Sequence, residues 1–455
     1  METDYLVVGA GASAMAFVDT LVSESTASVA IVDRNQRPGG HWTTAYPFVR
    51  LHQPSAYYGV NSRKLGSDLI DDAGLNRGFY ELADGTEVLA YFDAVMQHQL
   101  LPTGRVRYYP ATEYLGDGRV RTSAGTEMRI SARRRVVDTT AVGVVVPSMR
   151  PPPYEVAEGV DCIAVNDLPN ITHAHDQYVV VGAGKTGMDA CLWLLRHGIA
   201  PDRLVWIKPR DSWLLDRAAI QPGPLFAKQT LADVAAQLDC VRLAESADDL
   251  FHRLAAAGCL LRIDESVEPQ MYRCAIVSQL ELAQLRRIDH VLRKGHLRRV
   301  EPGRMQLDEG SVTVAQSALY IDCAADGFGT RRVETIFADD RITLYTVRTC
   351  QPAFSAAVIA RVEAAYTDDD VKNSFCQPVP YPHVPTDWLR MMLAHNRNQL
   401  QWFADPDMMA WLDGSRLNLL TQATSAVSSR ARDRVVGMIR SQLQATNEKL
   451  EQLLG

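Results

Sequence analysis

The sequence predicts an α/β fold built from two like modules. Three observations predict it: two glycine-rich turns each sit directly behind an apolar β-type run, each turn opens onto a helical stretch, and the same order of hairpin and closing strand follows both. In the first copy, Tyr5-Leu6-Val7-Val8 reads as a buried parallel strand and leads into Gly9-Ala10-Gly11-Ala12-Ser13-Ala14. Gly9 permits the tight turn, and Gly11 lets backbone approach a pyrophosphate. Ala14 stands at the third glycine position, where close helix-strand packing needs a small residue. The helix from about Ser13 to Ser23 aims its unpaired N–H groups and positive dipole end at the phosphates, which makes Ala12, Ser13 and Ala14 candidate contacts. Val29-Ala30-Ile31-Val32 then ends in Asp33-Arg34. A carboxylate about 20 residues beyond the turn accepts the hydroxyls of an adenosine ribose, so an unphosphorylated ribose such as that of FAD is expected here.

The second copy runs from Tyr178-Val179-Val180-Val181 into Gly182-Ala183-Gly184-Lys185-Thr186-Gly187, then a helix to about His197 and a strand Leu204-Val205-Trp206-Ile207. Lys208 and Arg210 stand where the first copy has Asp33. Cations there neutralise a 2′-phosphate, so NADPH is expected over NADH. Gly184-Lys185-Thr186 resembles the end of a P-loop, but that motif needs a glycine where Val179 stands, so no NTPase is expected. Both turns therefore belong to Rossmann-like dinucleotide-binding modules.

The repeat extends further. Gly118-Arg119-Val120-Arg121, a turn at Ala124-Gly125, Met128-Arg129-Ile130 and Arg135-Val136-Val137-Asp138 parallel Arg304-Met305-Gln306-Leu307, a turn at Glu309-Gly310, Val312-Thr313-Val314 and Leu319-Tyr320-Ile321-Asp322. Each set reads as a hairpin and a buried strand ending in Asp. The expected organisation places the first segment of an FAD-binding domain at 1–155 and an inserted NAD(P)H-binding domain at 156–325. A return segment of the first domain with C-terminal helices follows at 326–455. The Pro-rich stretch from Pro147 to Pro153 reads as the crossover. Within the second module, residues 226–293 read as helical, one run holding Leu231, Val234, Ala235 and Leu238 and another Val277, Leu280, Leu282, Leu285 and Ile288. A long amphipathic helix is expected from about Ala423 to Leu454, docking on the body or on another subunit as a homodimer contact.

Composition narrows the function. Charged residues make up 22% of the 455 and the formal net charge is −7, which argues against a nucleic-acid binder. Met1 leads almost directly into the first strand and no apolar run reaches the roughly 18 residues of a membrane span, so a soluble, cytoplasmic protein is expected. Eight cysteines are scattered without a C-x-x-C pair and read as buried small apolar residues, not as a zinc site or redox dithiol. His173 and His175 suggest metal binding as a bare pair, but no third ligand stands at useful spacing, and no metal is expected.

Four stretches carry a family resemblance: the first turn with Asp33; Arg37-Pro38-Gly39-Gly40-His41-Trp42; the second turn continuing into Met188-Asp189; and Lys208 through Trp213 to Arg217. Together they resemble the two-dinucleotide-binding flavoproteins, and most of all the class B flavin monooxygenases, over about residues 1–330. The resemblance implies that Gly40, His41 and Trp42 contact the flavin side of FAD and that Arg217 belongs to the NADP side. It also implies the reaction: NADPH reduces flavin, a C4a-hydroperoxyflavin forms with molecular oxygen, and a small molecule is oxygenated. The family's linker hallmark, F-x-G-x-x-x-H, is missing; Asn166 to His175 stands in its place.

By chain order the segment Val49 to Tyr58 reaches the flavin ring. His52 and Gln53 are the candidate donors near flavin N5 or O4, Arg50 the electrostatic partner and Asn61 a weaker candidate. Two alternatives share the architecture: a flavin oxidase or dehydrogenase without oxygen insertion, and a non-catalytic redox-sensing flavoprotein.

Overall fold

Runs of buried β-branched residues form parallel strands covered on both faces. In the computed structural model, which describes all residues except 144, 326–334 and 425–427, such runs build two separate parallel sheets. The first has six strands in the order Phe337–Ala338, Arg341–Thr343, Ser131–Asp138, Glu2–Val8, Val29–Val32 and Val106–Tyr109, all pairings parallel except the first. The second has five parallel strands in the order Asp161–Ala164, Ala318–Asp322, Gln177–Val181, Leu204–Ile207 and Val291–Leu292. In both, the strand before the glycine turn lies between its successor and the Asp-ended strand. That is the topological switch point, where the carboxyl ends of strands open a ligand crevice.

The sequence repeat is a structural repeat. An antiparallel three-stranded unit, Thr112–Gly116, Arg119–Thr122 and Glu127–Arg129, precedes Ser131–Asp138. Its counterpart, Leu297–Glu301, Arg304–Leu307 and Gly310–Thr313, precedes Ala318–Asp322. Strands Phe337–Ala338 and Arg341–Thr343 return the chain to the first sheet; the expected boundary at 325/326 adjoins residues outside the described ones. Helix Pro352–Ala365 then packs along helix Ala12–Glu24, with Ala353, Ala356, Ala357 and Ala360 buried against Ala14, Ala16 and Phe17. Small side chains let the two helices approach closely, and this completes the first module.

The inserted segment is less helical than its periodicity predicts. Helices Gly223–Leu243, Ala247–Ala256 and Gln279–Leu285 are present, but Val277 ends the strand Met271–Val277. That strand pairs with Ser212–Asp216, and a Ser278 capping box with Glu281 starts the next helix only after it. The C-terminal helix spans Ser429–Leu454 and docks on the body, burying Leu443 and Leu450 beside helix Pro385–Ala404. Among the described residues no helix is long and apolar enough to cross a membrane.

Two cysteines depart from the sequence reading. Cys274 and Cys350, separated by 76 residues, form a disulfide between strand Met271–Val277 and the segment leading into helix Pro352–Ala365. Of the other six, all but Cys162 are buried. Thiol titration of the denatured chain should therefore give six thiols before reduction and eight after; eight before reduction would remove the bridge.

Candidate functional site

The first crevice is built around Gly9, whose φ of +104° and whose lack of room for a Cβ beside Thr139 Oγ1 both require glycine. Helix Ala12–Glu24 starts at Gly11 with no side-chain cap, so its first-turn amides, Ala12, Ser13 and Ala14 among them, are open to a phosphate. Gly40 crosses Gly11 so closely that a Cβ on Gly40 would lie 2.9 Å from Gly11 Cα. Trp42 is buried and donates from Nε1 to Tyr58 Oη at 2.7 Å, while His41 is exposed and stacks on it. Asp33 is buried at the carboxyl end of Val29–Val32, accepting from the amides of Ala10 at 2.5 Å and Asn35 at 2.7 Å. Burial pushes its carboxyl up despite these bonds, and Arg34 beside it points to solvent.

The second crevice repeats the plan. Gly182 has φ +134°, with a would-be Cβ 2.8 Å from the Cys323 carbonyl oxygen, and a Cβ on Gly187 would strike the Gly182 carbonyl. A Cβ on Gly184 would meet open space, the room a pyrophosphate needs beside the uncapped helix Lys185–Arg196. Thr186 follows in that first turn. Lys185 pairs with Asp189, which also accepts from Tyr46 Oη at 2.6 Å.

Two of the residues expected to contact the nucleotide in this crevice, Lys208 and Arg217, are buried and bonded to protein. Lys208 is not a free cation: it is buried, pairs with Asp211 and lies 4.8 Å from the centre of the Trp206 ring. Burial would raise Asp211, but Arg293 at 2.7 Å and Lys208 outweigh it and hold the carboxylate below its usual range. Arg210 is exposed and makes no ion pair among the described residues. Arg217 is fully buried, with Nε donating to the His52 carbonyl at 3.2 Å, Nη1 to Asn76 Oδ1 at 3.1 Å and Nη2 to Glu281 Oε2 at 2.7 Å. Each of its three nitrogens bonds protein, so it ties the two modules together.

His52 stands at this junction. The Ile276 amide donates to its Nδ1 at 3.2 Å, so Nδ1 carries the lone pair and the neutral ring bears its proton on Nε2. Burial, with Lys185 and Arg217 nearby, pushes the imidazole down to about 3. Gln53 is half-buried, Arg50 is exposed and forms a backbone bridge with Asp84, and Asn61 accepts from Ser415 Oγ at 2.9 Å.

Residues far along the chain complete the site, and nothing in their local pattern announced them. Arg416 fastens the segment 56–60, donating to the carbonyls of Ala56 at 2.6 Å, Tyr58 at 2.8 Å and Val60 at 2.7 Å. Arg348 is buried beside the start of helix Pro352–Ala365, bonds Asn418 at 2.8 Å and has no carboxylate partner among the described residues. Burial pushes it down to about 10, and it leaves a positive charge that would favour an anionic group nearby.

Two amide-lined crevices at the switch points of two parallel sheets define a two-dinucleotide-binding architecture. Residues 7–61 match the NAD(P)-binding Rossmann-like domain family. The chain is 58% identical over its full length to the uncharacterized proteins Rv2000 of Mycobacterium tuberculosis and Mb2023 of Mycobacterium bovis, covering 85% of each, and it belongs to their family. Among solved structures it is similar to a flavin monooxygenase from Stenotrophomonas maltophilia (16% identity, 81% of this chain and 99% of that one, TM-score 0.47). It is also similar to bacillithiol disulfide reductase from Bacillus cereus (12% identity, 80% and 99%, TM-score 0.45).

The histidine geometry has a measurable consequence. Unfolded His52 protonates below about pH 6.5, whereas the folded ring stays neutral to about 3, so acid in that window favours the unfolded chain. Nitrogen-15 NMR of histidine-labelled protein should show the His52 ring, assigned by the signal lost in His52→Gln, as the neutral Nε2–H tautomer at pH 5; His41, lowered to about 4, and His395 should stay neutral there as well. A His52 signal titrating near 6.5 would contradict the burial and the Ile276 bond.

Proposed function

We propose that the chain is an NADPH-dependent FAD enzyme that oxygenates a small molecule with molecular oxygen. The observation that carries the reading is the pair of cradles that end differently: a buried acid, Asp33, closes the first, and an exposed cation, Arg210, stands at the rim of the second. The acid suits the free ribose hydroxyls of FAD and the cation suits the 2′-phosphate of NADPH. Open first-turn amides in both crevices and the open space at Gly184 fit two pyrophosphates.

Bound FAD would supply the redox chemistry, accepting a hydride from NADPH and passing electrons onward. The chain's own residues would bind and orient it. His52 offers a neutral Nε2–H donor whose ring is fixed by Ile276 and whose backbone is fixed by Arg217. A neutral donor directs a hydrogen bond without adding charge, and Trp42 packs edge-on against Tyr58, which packs on Phe92, an apolar wall that would help exclude water.

A second reading, an oxidase or dehydrogenase without oxygen insertion, has one observation in its favour. The linker histidines lie at the amino ends of the second sheet, beside Asp161 and Ser317, and not at the carboxyl-end crevice. Turnover with NADPH under labelled oxygen separates the two: label in an organic product supports oxygenation, and label recovered only as peroxide supports the oxidase.

Nucleotide choice rests on Arg210 in this reading. Arg210→Ala should raise the KM for NADPH about tenfold or more while leaving that for NADH within about twofold, the loss of one charge-assisted contact. Equal losses for both nucleotides would overturn the assignment.

A further inference from the structure

We propose that Asp161, His173 and His175 form a site for a divalent transition-metal ion, with zinc as the ion their donor set suits. The fold supplies the third ligand that chain spacing did not offer. Asp161 begins the edge strand of the second sheet, and parallel pairing lays it against the loop that precedes strand Gln177–Val181. His173 Nε2 lies 4.0 Å from Asp161 Oδ2 and His175 Nδ1 lies 3.7 Å from it, with one ligand atom from each residue within 4.8 Å of the others. Zinc bonds of about 2.0–2.1 Å place tetrahedral ligands about 3.4 Å apart, so a small rotation of side chains closes the set.

The side chains free to rotate are the exposed ones, Asp161 at 60% and His173 at 69%, whereas His175 at 3% is the anchor. Three contacts hold that anchor. Its amide donates to Tyr178 Oη at 3.3 Å, its carbonyl accepts from Arg203, and its Nδ1–H donates to the Ser317 carbonyl oxygen at 3.2 Å, a bond that an ion on Nδ1 would replace as the ring proton moves to Nε2. Two imidazoles and one carboxylate match zinc's preference for nitrogen and oxygen, and they leave a fourth position for water. Asp176 accepts from Ser317 Oγ at 2.7 Å and its own amide donates back to that hydroxyl at 3.2 Å, which fixes the rim of the site. The site lies at the amino ends of the strands, opposite the nucleotide crevice, so the ion would tie strand Asp161–Ala164 to the loop and would not take part in redox chemistry.

The test is a zinc titration of the tag-free, chelator-stripped full chain in competition with a chromogenic chelator. One zinc per chain is expected, with affinity at least tenfold weaker in Asp161→Asn and in His173→Gln. His252→Gln, an exposed histidine paired with Glu268, should bind as the parent does. Cobalt in place of zinc should show weak d–d bands without thiolate charge transfer. Because Asp161 and His173 are exposed, both variants should keep the parent's far-ultraviolet dichroism. No competitive binding by the parent, equal affinity in the folded variants, or a thiolate band would each overturn the proposal.

Discussion

The junction between the two modules depends on one buried cation. Arg217 reaches from the second module to the His52 carbonyl and Asn76 of the first, with its charge met by Glu281. A guanidinium suits this task because its planar fork holds several acceptors at fixed angles. Removing it would leave Glu281 buried without its partner, a defect that costs about 3–5 kcal/mol in buried pairs. It would also free the backbone of His52, so the same contact serves stability and the placement of the donor.

Around that clamp the two crevices are joined by one stretch of chain. Tyr46 reaches Asp189 beside the second turn, Phe48 packs on Trp193, and His52 receives the Ile276 amide. Residues 46–52 thus leave the first nucleotide cradle and fasten onto the helix that opens the second. The proposed function requires such a junction, since each sheet alone presents one cradle and a hydride would pass between two. The Cys274–Cys350 bridge and Arg416 brace the same region from the C-terminal third.

Much of this was legible in the sequence because its causes are local. The glycine turns, the apolar strands and the hairpin repeat are each written in a few adjacent residues, and the structure reproduces them as two sheets with the same switch point. Side-chain partners were not legible, because they come from far along the chain. The pattern beside Arg210 shows Lys208 without its partner Asp211, which Arg293 also holds, and the motif around Arg217 shows none of its partners Asn76, Glu281 and His52. Val277 fitted a helical spacing, but pairing with Ser212–Asp216 made it a strand. The disulfide and the Asp161 partner of the two histidines both needed the fold to bring distant segments together.

In the proposed function this architecture carries electrons from a nicotinamide to a flavin. The most direct measurement is the absorbance spectrum of the purified chain, loaded with FAD if needed, before and after anaerobic NADPH. A flavin spectrum that bleaches with NADPH is expected. Protein that takes up no FAD, or that keeps its flavin oxidised with both NADPH and NADH, would contradict it.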